Sequence, residues 1–202
     1  MSDTAHPTLR QIAGMTTQPG TLASSALVLI DCQNTYRTGV MKLVGVEEAL
    51  GEAQRLLARA REAQRPIIHI MHDGGPGSPY DIRADIGAIA GPVAPQGGEP
   101  VIVKRYPNSF AKTDLHEQLQ RLGIKDVIFA GFMTHMCVSA TVRGAFDLGY
   151  GSTVVAGATA TRDLPAAGAG VVPARTVHEA SLAGLADLMA VVVDGVDALP
   201  AR

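Results

Sequence analysis

The sequence predicts a doubly wound α/β domain: a mainly parallel six-stranded sheet with helices on both faces. Six short apolar runs show no alternation of polar and apolar residues, which is typical of strands covered on both faces. The segments between them carry apolar residues at helical spacing. Strands that alternate with helices form a parallel sheet, because parallel neighbours need a crossover connection.

The first half of the chain supplies three of the predicted strands and one long helix. The strands are the runs "ALVLID" at 26–31, "PIIHIM" at 66–71 and "PVIVKR" at 100–105. Between the first two, an amphipathic helix is predicted from an apolar stripe of Val46, Ala49, Leu50, Ala53, Leu56, Leu57 and Ala60. The segment 73–99 is rich in glycine and proline and breaks the alternation. We expect it to form a long loop that walls a ligand pocket.

The second half supplies the other three strands, "DVIFAG" at 126–131, "STVVAG" at 152–157 and "MAVVVDG" at 189–195. Three further helices are predicted from apolar stripes: Leu115, Leu119 and Leu122; Val138, Val142, Ala145 and Leu148; Val177, Ala180 and Leu188. Gly149 is placed to end the second of these helices, and Pro173 to begin the third.

Length and composition favour one globular domain over residues 1–202, with residues 1–23 as a polar N-terminal arm. The chain is 47% hydrophobic and 18% charged, and its formal net charge is −2 without any block of like charges. Electrostatics therefore gives no reason to expect nucleic acid or an anionic membrane as a partner. No apolar run approaches the roughly 20 residues needed to cross a bilayer.

The cysteine content and the N-terminus favour a cytoplasmic protein. Two cysteines cannot form a disulfide framework in a chain of 202 residues. The opening "MSDTAHPTLRQ" lacks the basic and apolar regions of a secretory signal. We therefore expect both thiols to be reduced.

Three reactive side chains fall at one edge of the predicted sheet. Asp31 ends the first strand, Lys104 lies at the end of the third, and Cys137 follows the fourth. Ligands of doubly wound sheets bind beyond the carboxyl ends of the strands. A carboxylate as proton acceptor, an ammonium as electrostatic support and a thiol as nucleophile make a plausible hydrolytic set. The structural alternatives are a cap for Asp31, a solvated strand end for Lys104 and core packing for Cys137.

Cys137 is also expected near the first turn of a helix, where the dipole and free N–H groups favour the thiolate. Cys32 follows Asp31 on the opposite side of the strand end, so we interpret it as core packing.

Three segments together carry a family resemblance: "LVLIDCQNTY", "VIVKRYPNSF" and "GFMTHMCVSATVRGAFDLGY". In this order and spacing they resemble the isochorismatase-like cysteine hydrolases, which include nicotinamidases and N-carbamoylsarcosine amidohydrolases. The resemblance covers about residues 24–195, and its most specific element is the G-x-x-T-x-x-C-V block around Cys137. It implies an Asp31, Lys104, Cys137 catalytic triad. It also implies a cis peptide between Phe132 and Met133, with the N–H groups of Met133 and Cys137 forming an oxyanion hole.

The same resemblance implies the chemistry. We expect a hydrolase that cleaves a non-peptide C–N bond of a small molecule, such as an amide, lactam or carbamoyl group, through a Cys137 thioester. The resemblance implies no cofactor. It does imply a homo-oligomer, either a dimer or a tetramer. Nicotinamidases hold a zinc-like ion on an Asp-x-His element and a further histidine after the second strand. The segment "IMHDGGPGSPYD" lacks that spacing, so we expect no metal and regard nicotinamide as a disfavoured substrate.

Three alternatives stay open at this point. One is vinyl ether hydrolysis of isochorismate, although branches with that activity lack the nucleophilic cysteine. A second is a redox protein in which Cys137 and Cys32 exchange electrons or trap an oxidant. A third is a non-catalytic binding module on the same fold.

Five residues are predicted to contact the substrate: Gln33, Tyr36, Tyr106, Phe110 and His135. The aromatic members are loop residues in a chain that is only 4% aromatic. A turn-forming amide is the alternative reading of Gln33, and a helix cap or solvated position that of His135.

A second set of polar residues follows other strands at the same edge. His72 and Asp73 come after the second strand and look metal-like at first sight, but lack the metal spacing. Thr161, Arg162 and Asp163 follow the fifth strand and are candidates for the pocket or a subunit contact, with helix capping an equal alternative for Asp163.

Overall fold

The computed structural model describes residues 6–200, so the first five residues of the predicted arm lie outside the described part. The strands are β1 (Ala26–Ile30), β2 (Ile67–His72), β3 (Val101–Lys104), β4 (Asp126–Phe132), β5 (Gly151–Ala160), β6 (Leu164–Pro165), β7 (Val171–Val172) and β8 (Val191–Val193). The α-helices are α1 (Leu9–Ile12), α2 (Val46–Glu62), α3 (Leu115–Arg121), α4 (Ser139–Asp147) and α5 (Ala174–Ala186). None of the helices in residues 6–200 has the length and apolar character that crossing a membrane requires.

The predicted sheet is confirmed. Six strands pair in the order β3-β2-β1-β4-β5-β8, and each pairing in this sheet is parallel. The winding direction reverses between β1 and β4. That switch point is where a doubly wound sheet opens a crevice for ligands.

Helices cover both faces of the sheet, which creates two separate cores. Successive β1 residues point to opposite faces, so Leu27 and Leu29 pack towards α2 while Val28 and Ile30 pack towards α3, α4 and α5. Every residue of β1 is buried. This explains why its sequence is apolar throughout rather than alternating.

The prediction was wrong in three details. Strand β3 lies at the edge of the sheet, and Val101 and Val103 are 42% and 44% exposed, because no strand or helix within residues 6–200 covers them. Helix α5 buries Val177, Leu182 and Leu185, whereas the predicted Ala180 is exposed. Leu122 and Leu148 follow the ends of α3 and α4 and are largely exposed.

Two connections shape the carboxyl edge of the sheet. The predicted long loop 73–99 contains only short 3-10 turns, at Asp85–Gly87 and Gly91–Val93, and is tied to the end of β1 by a bridge between Gln33 and Ile89. The short antiparallel pair of β6 and β7 has no counterpart in the prediction, since its strands are two residues each. Both features therefore lie on the side of the sheet where ligands are expected.

Candidate active site

The carboxyl ends of β1, β3 and β4 bring the three predicted catalytic side chains together. The Nζ atom of Lys104 lies 2.7 Å from Oδ2 of Asp31 and 3.3 Å from Sγ of Cys137. All three residues are buried, and Cys137 is the most accessible at 5% exposure. The structural alternatives for Asp31 and Lys104 are therefore wrong, since the Asp31 side chain caps no element within residues 6–200 and Lys104 is buried rather than solvated.

Local backbone geometry aims Asp31 into the site. Its φ of 50° lies in the left-handed region, which is uncommon for a residue with a side chain. The neighbouring strand comes very close at this point, because a Cβ on Gly131 would lie 2.0 Å from the carbonyl oxygen of Ile30. Only glycine fits at position 131, and the ends of β1 and β4 can therefore converge.

Cys137 lies in a π-helical turn, Thr134–Val138, that leads into α4. The N–H of Val138 donates to the carbonyl of Met133 at 3.2 Å, the five-residue step of a π-turn. Such wide turns often occur at functional sites. The peptide bond between Phe132 and Met133 is cis, as the family resemblance implies.

The electrostatics correct the sequence-based expectation of a thiolate. Burial, together with the negative charge of Asp31, raises the pKa of Cys137 to about 12, and the Lys104 ammonium opposes this only in part. Burial also raises the pKa of Asp31, against the lowering effect of Lys104. The raised pKa of Cys137 favours a protonated thiol, beside the contact between Asp31 and Lys104.

The Asp31 carboxylate keeps free acceptor capacity. Its Oδ2 forms an ion pair of 2.7 Å with Lys104, whereas its Oδ1 has no hydrogen-bond partner among the described residues. A carboxylate oxygen and Cys137 Sγ lie within 4.8 Å of each other. A buried acceptor without a partner is costly in a merely structural role, but it suits a group that receives a proton.

His72 is the member of this cluster that sequence reasoning missed. Its Nδ1 atom lies 3.2 Å from Lys104 Nζ. It follows the same rule as the triad, a polar residue at the carboxyl end of a parallel strand. The sequence therefore contained the signal, but His72 was weighed only as a metal ligand, and the spacing for that role is missing.

A metal ion has ligand atoms available here but no free position. Ligand atoms of Asp31, His72 and Cys137 all lie within 4.8 Å of one another. The Lys104 ammonium contacts all three residues. A cation at the same place would have to overcome repulsion by this buried positive charge.

One of the predicted substrate-binding residues, Tyr36, belongs to an aromatic cluster near the triad. Tyr36 is buried against Tyr80 and Phe132, with ring centroids 5.7 Å apart in each pair. Burial raises the pKa of Tyr36, and the charges of Asp31 and Cys137 add to this effect. Tyr80, from the loop 73–99, carried no sequence signal for this position.

Gln33 is occupied by the protein itself. Its side-chain amide donates to the carbonyls of His72 at 3.1 Å and Gly87 at 2.7 Å, and accepts from the N–H of His72 at 2.9 Å. This residue therefore fastens the loop 73–99 and the end of β2, and its predicted contact with substrate gains no support from the geometry.

The other two aromatic predictions have partners outside the triad. The ring of Tyr106 is 43% exposed, and its hydroxyl accepts a hydrogen bond from Lys112. Phe110 stacks on Tyr150 with centroids 5.9 Å apart. Their contact with a substrate stays a prediction.

His135 lies two residues before Cys137 and is bonded to the segment that carries Arg162. His135 Nδ1 lies 2.6 Å from Thr161 Oγ1, and burial and the charge of Arg162 lower the pKa of His135. The Nε of Arg162 is buried and has no hydrogen-bond partner among the described residues. This guanidinium therefore has donor capacity left for a ligand.

Cys32 confirms its predicted role as core packing. It is buried in the core on the α2 side, whereas Cys137 belongs to the core on the other face. Burial raises the pKa of Cys32 well above its usual range. Two sulfurs on opposite faces of one sheet cannot form a disulfide without unfolding it.

Two roomy cavities are not lined by Asp31, Lys104 or Cys137. One of about 550 Å³ is lined by Pro66, Ile67 and Leu122 among others, at the start of β2 and therefore at the opposite edge of the sheet. The other, of about 600 Å³, is lined by Asn34, Asp85 and Ile86 among others, beside the loop 73–99.

Comparisons with known proteins agree with this architecture. The isochorismatase domain model matches residues 25–197. A crystal structure of an isochorismatase from Pseudomonas putida KT2440 is 42% identical, with a TM-score of 0.90 and 97% coverage of both chains. The secreted isochorismatase effector Isc1 of Verticillium dahliae is 32% identical over 93% of this chain and 97% of its own. The ureidoacrylate amidohydrolase RutB of Stutzerimonas stutzeri is 28% identical over 68% of this chain and 70% of its own.

Proposed function

This chain belongs to the isochorismatase family, and on that premise we propose that it is a metal-independent cysteine hydrolase of non-peptide C–N bonds. The substrate is an amide, lactam or carbamoyl group of a small molecule. The observation that carries the proposal is the contact of one buried ammonium with both the Asp31 carboxylate and the Cys137 thiol. The similarity to a named amidohydrolase supports the bond type.

The proposed reaction begins with transfer of the Cys137 proton to Asp31. Burial raises the pKa of Asp31 and so makes it a better base than an exposed carboxylate. The Cys137 thiolate then attacks the substrate carbonyl carbon. Lys104, whose Nζ lies 3.3 Å from the sulfur, stabilises the thiolate as it forms. The thiol stays protonated, and therefore unreactive, until this transfer occurs.

The second half of the reaction releases the nitrogen. The N–H groups of Met133 and Cys137 hold the tetrahedral oxyanion, each worth about 3 kcal/mol in comparable acyl-transfer enzymes. Asp31 returns its proton to the leaving nitrogen as the C–N bond breaks, which leaves an acyl thioester on Cys137. Asp31 then takes a proton from water as the water oxygen attacks the thioester. When the C–S bond breaks, Asp31 returns this proton to the sulfur, which releases the acid and restores the thiol.

The rival functions have less support. A Cys32–Cys137 redox couple is disfavoured because the two sulfurs lie in different cores. Vinyl ether hydrolysis of isochorismate needs no sulfur nucleophile, so it would leave the Cys137 contacts without a purpose. A pure binding module would not need a buried carboxylate with free acceptor capacity.

We also propose a cytoplasmic homo-oligomer. The location rests on two unpaired, buried cysteines, although one relative is named as a secreted effector. The assembly rests on the family resemblance.

The proposal is tested by a hydrolysis screen of amides, ureas, carbamates, lactams and isochorismate. We expect release of ammonia or an amine from at least one C–N substrate, at a rate unchanged by EDTA. Rapid acid quench followed by mass spectrometry should find an acyl adduct on the peptide that contains Cys137. Turnover of isochorismate alone, or loss of activity with EDTA that zinc restores, would contradict the proposal.

Arg162 is expected to favour substrates with an anionic group. Its buried Nε has no partner, and a carboxylate ligand would satisfy it with a charge-assisted hydrogen bond. Arg162→Gln should raise KM for a carboxylate-bearing substrate about 10- to 100-fold while kcat changes little. The matched neutral substrate, with an amide in place of the carboxylate, should show no such difference. Equal effects on both substrates would reject anion recognition.

A further inference from the structure

His72 has no task in the mechanism described so far, yet it contacts the central lysine. Its Nδ1 lies 3.2 Å from Lys104 Nζ, beside the contacts of 2.7 Å to Asp31 and 3.3 Å to Cys137. An ammonium has three N–H donors and no acceptor. Three acceptors on three different strands or turns therefore fix its orientation as well as its position.

The imidazole is itself held in place. Gln33 bonds both the N–H and the carbonyl of His72, at 2.9 and 3.1 Å. The edge of the ring packs on Tyr80, with centroids 5.1 Å apart and planes at 73°. Because Gln33 and Tyr80 determine where His72 lies, the loop 73–99 is coupled to the orientation of Lys104.

The ring is neutral and acts as an acceptor. Lys104 can only donate, so Nδ1 carries the lone pair and Nε2 carries the proton. Burial and the Lys104 charge lower the pKa of His72, opposed by Asp31 and Asp73. The other titratable groups beside the ring are Cys137 and Tyr80.

We propose that His72 is a positioning residue, whose neutral imidazole keeps the Lys104 ammonium beside the sulfur while the proton moves from Cys137 to Asp31. This inference rests on the proposed function. Once Asp31 is protonated, its attraction for Lys104 falls, and the flexible lysine stem would be free to turn. The bond to His72 persists through the step, because the imidazole changes neither charge nor protonation.

The test compares two substitutions by the reactivity of the sulfur. His72→Phe keeps a ring against Tyr80 but removes the acceptor, and His72→Asn keeps an acceptor close to the Nδ1 position. We expect the rate of Cys137 alkylation by iodoacetamide, separated from Cys32 by peptide mass spectrometry, to fall about 10- to 100-fold in His72→Phe. His72→Asn should recover most of that loss, and kcat should follow the same order with KM nearly unchanged.

His116→Phe is the matched control. His116 is also half-buried, and it bonds the hydroxyl of Tyr150 at 2.9 Å, outside the proposed machinery. The rate of Cys137 alkylation in His116→Phe should therefore equal that of the wild type. A wild-type rate in His72→Phe would overturn the proposal. Equal losses in His72→Phe and His72→Asn, accompanied by equally lowered Tm, would assign His72 a purely structural role. Alkylation needs no substrate, so a failed hydrolysis screen and a failed positioning test are distinguishable.

Discussion

Cys137→Ala is expected to remove hydrolysis almost completely, lowering kcat by about 10⁴-fold or more. Without the sulfur no covalent intermediate can form, and neither Asp31 nor Lys104 can replace it as nucleophile. Cys137→Ser should be nearly as inactive, because a hydroxyl is far less acidic than a thiol that burial already holds at a pKa of about 12. Steady-state turnover of the substrate found in the screen measures the effect.

Cys32→Ala is the control for this prediction. Cys32 is equally a free, buried cysteine, but it lies in the core on the other face of the sheet. Its variant should retain kcat and lose only some stability through the small cavity. If Cys137→Ala kept more than about one hundredth of the wild-type kcat, a loss far below that expected for a covalent nucleophile, the thioester mechanism would be wrong.

Lys104→Met should cause losses in both activity and stability. It removes the support of the thiolate, so we expect kcat/KM to fall about 10³-fold, as when a preorganised electrostatic group is lost from an active site. It also leaves the carboxylate of Asp31 buried without a counter-charge. Breaking a buried pair in this way costs about 3–5 kcal/mol in the free energy of unfolding.

The stability loss should depend on pH with a definite sign. Burial raises the folded-state pKa of Asp31 above its unfolded value, and removing the lysine raises it further. A raised pKa favours the protonated folded form, so stability is present at low pH and is lost as pH rises through the folded pKa. Urea unfolding of Lys104→Met should therefore show a deficit that shrinks from pH 8 to pH 5.

Two variants sharpen this result. Asp31→Asn combined with Lys104→Met removes both charges, and we expect it to regain most of the stability while staying inactive. Lys125→Met replaces an exposed lysine and should leave both properties unchanged. If the loss in unfolding free energy of Lys104→Met were the same at every pH, Asp31 would not be the buried charge that loses its partner.

Much of the fold could be predicted because parallel strands leave a strong pattern. Strand β1 is buried on both faces and reads as a continuous apolar run, and α2 buries all seven residues of its predicted stripe. The edge position of β3 could not be read from "PVIVKR", because valine suits a covered and an edge strand alike. Ala180 was misassigned for a similar reason, since alanine is common on both faces of a helix.

The positions of the triad could be predicted because the carboxyl ends of parallel strands meet at one edge of the sheet. The protonation of Cys137 could not be predicted in this way. The rule placed Asp31, Lys104 and Cys137 at the same edge, where the structure has them in contact. The protonation of Cys137 depends on how deeply the sulfur is buried and how near the carboxylate lies. Neither quantity is encoded in residue spacing, and the helix-dipole argument therefore did not include them.

The central cation of this cluster is part of a side chain, and that distinguishes it from a metal in one further respect. A catalytic zinc carries its own bound water and lowers that water's pKa, whereas an ammonium brings none. In the proposed mechanism, the water that cleaves the thioester must therefore enter from bulk solvent after the amine has left. Hydroxylamine added to the reaction should compete for the acyl group at this stage, and the ratio of hydroxamate to acid would measure how freely solvent reaches the sulfur.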